Sequence, residues 1–119
     1  MEKKILFVDD DEHWRSLVSI TLKGVGHEVL TAKDASEGMW LSEDHKLGLI
    51  ILDLDLGGES GLMLMKFLRR NHPDVPIILF TGKEHDEEAI KKMLLQGAAQ
   101  YLKKGSMEEL VKAVRRSFR

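Results

Sequence analysis

The sequence predicts a doubly wound α/β fold, a five-stranded parallel sheet with helices on both faces. Three observations carry this. Short apolar runs recur along the chain, rich in β-branched residues and bounded by polar or turn residues. Segments with helical spacing and helix caps fall between them. The resulting order, βαβαβαβαβα, with right-handed crossovers, places helices on both sides of one sheet.

The strands are expected at 4–8 (KILFV), 47–52 (LGLIIL), 75–80 (VPIILF) and 99–102 (AQYL), with 27–32 (HEVLTA) a weaker fifth. Their near-continuous apolarity fits burial on both faces. The first helix, in DEHWRSLVSITLKG, puts Trp14, Leu17, Val18, Thr21 and Leu22 at helical spacing and stops near Gly24 and Gly26. The second opens with Asp34 and Glu37 as a capping box, and Trp40 is expected to pack it. The third runs from Ser60 to the residues before Pro73. The fourth starts in DEEA and stops at Gly97. The fifth has Ser106 and Glu109 as a capping box.

The 119 residues fit one domain, taken as 1–119. A net charge of −2 gives no long-range pull toward nucleic acid or membrane. Lys112, Arg115, Arg116 and Arg119 share a face of the last helix, read as solvated rather than as a nucleic-acid surface. The absence of cysteine removes disulfides, thiol nucleophiles and Cys-bound metals, and suits a cytoplasmic location. The five histidines lack the helical pairing of a His-metal site. Neither a signal peptide nor a membrane span is expected.

In open α/β sheets, ligands bind beyond the carboxyl ends of the strands. Here those ends carry Asp9-Asp10-Asp11, Asp53 with Asp55 two beyond, Thr81-Gly82, and Lys103-Lys104. Converging carboxylates repel unless a cation joins them. Mg²⁺ suits such a cluster, being hard and commonly held by one or two carboxylates with water and phosphate oxygens. An aspartate beside it can take a phosphoryl group, with a hydroxyl and an ammonium stabilising the charge.

Four motifs in order, ILFVDDDEHWR, LIILDLDLGGESGLMLMKFLR, VPIILFTG and GAAQYLKKGSMEEL, resemble the receiver domain of two-component response regulators over essentially the whole chain. The resemblance implies a flavodoxin-like (βα)5 sheet of strand order 2-1-3-4-5. It implies Asp53 as phosphoacceptor, Thr81 as switch hydroxyl and Lys104 as the phosphate-pairing lysine. Asp9 and Asp10 become the acids of a Mg²⁺ or Mn²⁺ site, with Asp10 the first choice as direct ligand; Asp53 and the Asp55 backbone carbonyl complete it. Tyr101, three before Lys104, takes the place of the switch aromatic. Asp55, with Lys83 across from it, is expected to tune the lifetime of the aspartyl phosphate. Trp14 is expected beside the site, on the first-helix face that family members offer to partners.

The implied partners are a histidine kinase or histidine phosphotransfer protein and an unidentified downstream effector. Homodimerisation through the fourth helix, fifth strand and fifth helix is also implied. The chain is expected to be a stand-alone receiver or one piece of a larger regulator. Two departures stand out. Gly57 lies four past Asp53, where the family usually has proline, and is expected to loosen the loop. Gly105 follows Lys104 where the family often has a cis-proline, leaving that peptide's geometry open.

Two rivals are weaker. Asp53-Leu54-Asp55 matches the D-x-D of haloacid-dehalogenase-like phosphohydrolases, but Gly57 stands where that family has Thr or Val, and the chain is short for it. A flavodoxin-like binding module would want a phosphate-cradling loop after the first strand, where DDDEH stands.

Overall fold

A computed structural model describes residues 3–118. The elements run β1 (Lys4–Val8), α1 (Glu12–Gly24), β2 (Val29–Ala32), α2 (Ala35–Asp44), β3 (Leu47–Leu52), β4 (Asp55–Leu56), β5 (Glu59–Ser60), α3 (Gly61–Asn71), β6 (Ile77–Thr81), α4 (Glu87–Leu95), β7 (Gln100–Lys103) and α5 (Met107–Ser117). Five strands form one parallel sheet in the order β2-β1-β3-β6-β7. With the small β4-β5 hairpin set aside, this is the expected order 2-1-3-4-5.

The strands divide their side chains between two cores. Leu6, Val8, Ile50, Leu52, Ile77 and Leu79 face one way and pack with Leu64, Met65 and Leu68 of α3 and Met93 of α4. Ile5, Phe7, Leu49, Ile51, Ile78 and Phe80 face the other way, against Val18 and Leu22 of α1 and Leu110, Ala113 and Val114 of α5. Period-two alternation within continuous apolar runs is what a sheet covered on both faces requires. Burial of each large side chain contributes about 1.5–3 kcal/mol.

Every helix start has a side-chain cap. Asp11, Asp34, Ser60, Asp86 and Ser106 accept hydrogen bonds from the backbone N–H groups of His13, Glu37, Met63, Ala89 and Glu109. Glu37 closes its own turn by accepting from the Lys33 N–H at 3.0 Å.

Some expectations give way. Strand β6 begins two residues later than expected and takes in Thr81, and β7 reaches Lys103. Trp40 does not pack α2 and is 63% exposed. Neighbouring helix positions differ by about 100°, and Met39 has the inward one. Leu17 is 44% exposed because Val18 and Leu22 occupy the buried stripe of α1. Arg119 lies outside the described residues.

The loop after β3 is a tight hairpin rather than a loosened segment. Asp55 pairs with Ser60 and Leu56 with Glu59. Gly57 and Gly58 make the two-residue turn at φ 65° and 101°. Positive φ at both turn positions is what glycine permits and what joins two antiparallel strands of natural twist. Proline, fixed near −65°, could not stand at 57.

Candidate functional site

Sheet register builds the site. Val8 lies beside Leu52 in the β1–β3 pair, so Asp9 and Asp53 emerge together; the Asp53 N–H donates to the Val8 carbonyl at 3.0 Å. In the β6–β7 pair, Thr81 lies beside Lys103, and the Lys104 N–H donates to the Thr81 carbonyl at 2.7 Å. Asp9, Asp53 and Thr81 are buried, in contrast to the exposed Asp10 and Asp11. The Lys104–Gly105 peptide is trans.

Lys104 is the hub. Its ammonium lies 2.7 Å from Asp9 Oδ2 and 2.9 Å from Asp53 Oδ2. The second contact is a well-aligned hydrogen bond; the first is a close ion pair of poorer alignment. Burial pulls the Lys104 pKa down, but the Asp53 and Asp9 carboxylates outweigh it and the net shift is upward. Burial dominates at Asp9 and raises its carboxyl, against the pull of Lys104 and the Asp11 N–H. Two backbone groups brace the acids. The Asp11 N–H donates to Asp9 Oδ1 at 2.9 Å, and the Asp55 N–H donates to Asp53 Oδ1 at 3.3 Å.

Asp9, Asp10 and Asp53 each offer an oxygen within 4.8 Å of the others. Three carboxylates against one ammonium leave a formal local charge of about −2, since Lys104 offsets them only in part. Such a donor set fits a hard divalent cation. Gly57 lets the turn lie close against Asp10, since a Cβ there would stand 3.0 Å from Asp10 Oδ2. Gly61 permits a still closer approach, where a Cβ would meet the Asp53 carbonyl at 2.1 Å.

The carboxylates open into a cavity of about 200 Å³ shared by Asp10, Asp53, Asp55, Thr81 and Lys104. Across its mouth Lys83 Nζ lies 3.2 Å from Asp55 Oδ2. The Lys83 ammonium holds the Asp55 carboxyl below the usual range. Lys103 points elsewhere, pairing with Glu84.

Tyr101 stands apart from the carboxylates. Its hydroxyl donates to the Lys83 carbonyl at 3.2 Å and lies 2.8 Å from His85 Nδ1. Three residues near the site had no sequence signal for their contacts. His85 meets Tyr101 from 16 positions away. Arg15 donates to the Asp9 carbonyl at 2.8 Å. Trp14, expected beside the site, has the Lys104 ammonium 5.1 Å from its ring centroid.

The model of the response regulator receiver domain matches residues 5–115. The chain belongs to the response regulator receiver domain family. As a receiver it is 39% identical over 105 residues to the alkaline phosphatase synthesis transcriptional regulatory protein PhoP of Bacillus subtilis, covering 87% of this chain. It spans only 43% of that relative's length. Among solved structures, the chemotaxis protein CheY4 of Vibrio cholerae superposes with a TM-score of 0.89 at 30% identity, over 98% of this chain and 99% of that one. A response regulator from Burkholderia pseudomallei, solved with a phosphorylated aspartic acid and a calcium ion, superposes at 0.85 and 30% identity, over 94% and 65%. The phosphohydrolase alternative finds no support, and the receiver is a signalling domain.

Proposed function

We propose that this receiver is switched by phosphorylation of Asp53, with phosphohistidine of a kinase or phosphotransfer protein as donor. A carboxylate oxygen of Asp53 forms the new P–O bond as the P–N bond of the donor breaks, and the imidazole nitrogen leaves with the bonding pair. The observation that carries this is the Lys104 ammonium, placed 2.7 and 2.9 Å from two buried carboxylates in a cavity that also holds Thr81.

Asp9, Asp10 and Asp53, with the Asp55 backbone carbonyl, would hold Mg²⁺ or Mn²⁺. When bound, the cation would supply positive charge for the oxygens of the transferring group. Lys104 turns from Asp53 toward a phosphoryl oxygen, and Thr81 donates its hydroxyl to another. The Asp55–Lys83 pair limits the approach of water and so sets the lifetime, the receiver being its own slow dephosphorylating agent. Tyr101, tied to the loop after Thr81, carries the change to the α4–β7–α5 face.

Leu94 and Leu95 stand exposed on α4, so that face suits a homodimer or an effector. No helix among the described residues is long and apolar enough to cross a membrane. A cytoplasmic setting, and an output carried by further domains, belong to the same proposal.

The test is phosphoryl labelling with acetyl phosphate or phosphoramidate and Mg²⁺. The parent should take one acid-stable, base-labile phosphoryl group per chain and Asp53→Asn none. Equal labelling of the two would overturn the assignment.

A further inference from the structure

We propose that Trp14 is a positioning residue of this site: its ring holds the Lys104 ammonium in place while that ammonium changes partners. The role rests on Asp53 being the phosphoacceptor.

Trp14 sits in the first turn of α1, just after the acidic loop. Its ring meets Phe80 edge-on, with centroids 5.6 Å apart and planes at 89°. Phe80 is fully buried and immediately precedes Thr81. One side of the indole is thereby fixed against the core. Lys104 Nζ lies 5.1 Å from the ring centroid, within the roughly 6 Å reach of a cation–π contact. Its side chain is only 9% exposed.

The ammonium thus has three neighbours, Asp9, Asp53 and the Trp14 ring. Two of them change character in the reaction. Asp53 gives up its carboxylate charge on forming the acyl phosphate, and Asp9 turns toward a cation. The ring alone keeps the same field throughout, and it also excludes water, which strengthens the pull of the ammonium on phosphoryl oxygens. Tryptophan has the strongest cation-attracting face of the aromatic side chains. Leucine could fill much of the volume against Phe80 but has no such face.

The experiment compares the full chain with Trp14→Leu and Trp14→Phe. Initial rates of labelling by acetyl phosphate with Mg²⁺ are taken across donor concentrations. Trp14→Leu should lower the maximal rate about fivefold, inside the about twofold to thirtyfold that a cation–π contact supports. The half-saturating donor concentration should stay near the parent's, and Trp14→Phe should recover most of the rate. An unchanged rate in Trp14→Leu, or equal losses in both variants, would overturn the proposal, since neither needs the ring's field.

A second measurement needs no phosphoryl donor. Acetic anhydride acylation of Lys104, read by peptide mass spectrometry against exposed Lys33, should run several-fold faster in Trp14→Leu and near the parent rate in Trp14→Phe. If the parent takes no phosphoryl group, the phosphoacceptor reading itself falls. If Lys104 acylation is unchanged in Trp14→Leu, only the proposal for Trp14 falls.

Discussion

Lys83 Nζ lies 3.2 Å from Asp55 Oδ2, closing a polar latch over the cavity that holds Asp53. Both residues come two positions after a residue of the site, Asp55 after Asp53 and Lys83 after Thr81. Both side chains are exposed, so solvent screens the pair and its effect is modest. Asp55→Ala and Lys83→Ala should therefore each shorten the aspartyl-phosphate lifetime by up to about fivefold while leaving its formation intact. The double variant should decay no faster than either single one, because the two act as a unit. Decay of the labelled protein after donor removal measures this, and additive effects would mean separate roles.

Asp9 contributes to the response of the metal-free protein to pH. Burial raises its folded-state pKa above 3.8. A group raised in this way contributes stability that is full below its unfolded value and is lost as the pH climbs through its folded value. Asp9→Asn should gain on the parent in urea midpoint as the pH rises through that window without divalent cation. Saturation with Mg²⁺ at a hundred times its dissociation constant should stabilise the parent by about 2.7 kcal/mol and the variant by much less. A variant that responds to Mg²⁺ like the parent would remove Asp9 from the cation site.

Gly57 joins fold and site. Alanine there would strain a backbone at φ 65° and push on Asp10 Oδ2 from 3.0 Å. Gly57→Ala should cost about 1–2 kcal/mol in the unfolding free energy. It should also weaken Mg²⁺ binding, read by calorimetry. Gly58→Ala shares the strained φ but meets nothing within 4 Å, so it should cost stability and spare the metal.

Tyr101 is the chain's one tyrosine, so its ionisation can be followed alone. Burial raises its pKa above 10.0. The stability it contributes is complete below 10.0 and lost as the pH rises through the folded value. The tyrosinate absorbance of the native protein should have its midpoint above 10.0, and unfolding in urea should return it there. A native midpoint at or below 10.0 would show a ring freer than the structure has it.

Much of this was legible in the sequence because it depends on local order. Asp9 and Asp53 each follow an apolar run directly, and parallel strands in near register bring such residues together. Caps such as Asp34 and Ser106 act within one helical turn. Against the receiver pattern, the position of Tyr101 three before Lys104 pointed to the second lysine of a pair.

What the sequence hid depends on handedness or distance. Gly57-Gly58 reads as freedom, yet the same residues readily adopt the left-handed turn that orders the loop. Trp40 and Met39 are adjacent and apolar, and only the packing of α2 turns Met39 inward and leaves Trp40 out. The pairing of His85 with Tyr101 and of Trp14 with Lys104 joins residues far apart in the chain, which no periodicity marks.

The glycine turn bears on how receivers exchange parts. This chain orders the loop through a left-handed glycine pair. A proline introduced at 57 cannot take this turn, and the turn is closed by pairing on both sides of it. Grafting must therefore move residues 55–60 as one piece, together with the acidic loop against which Gly57 lies.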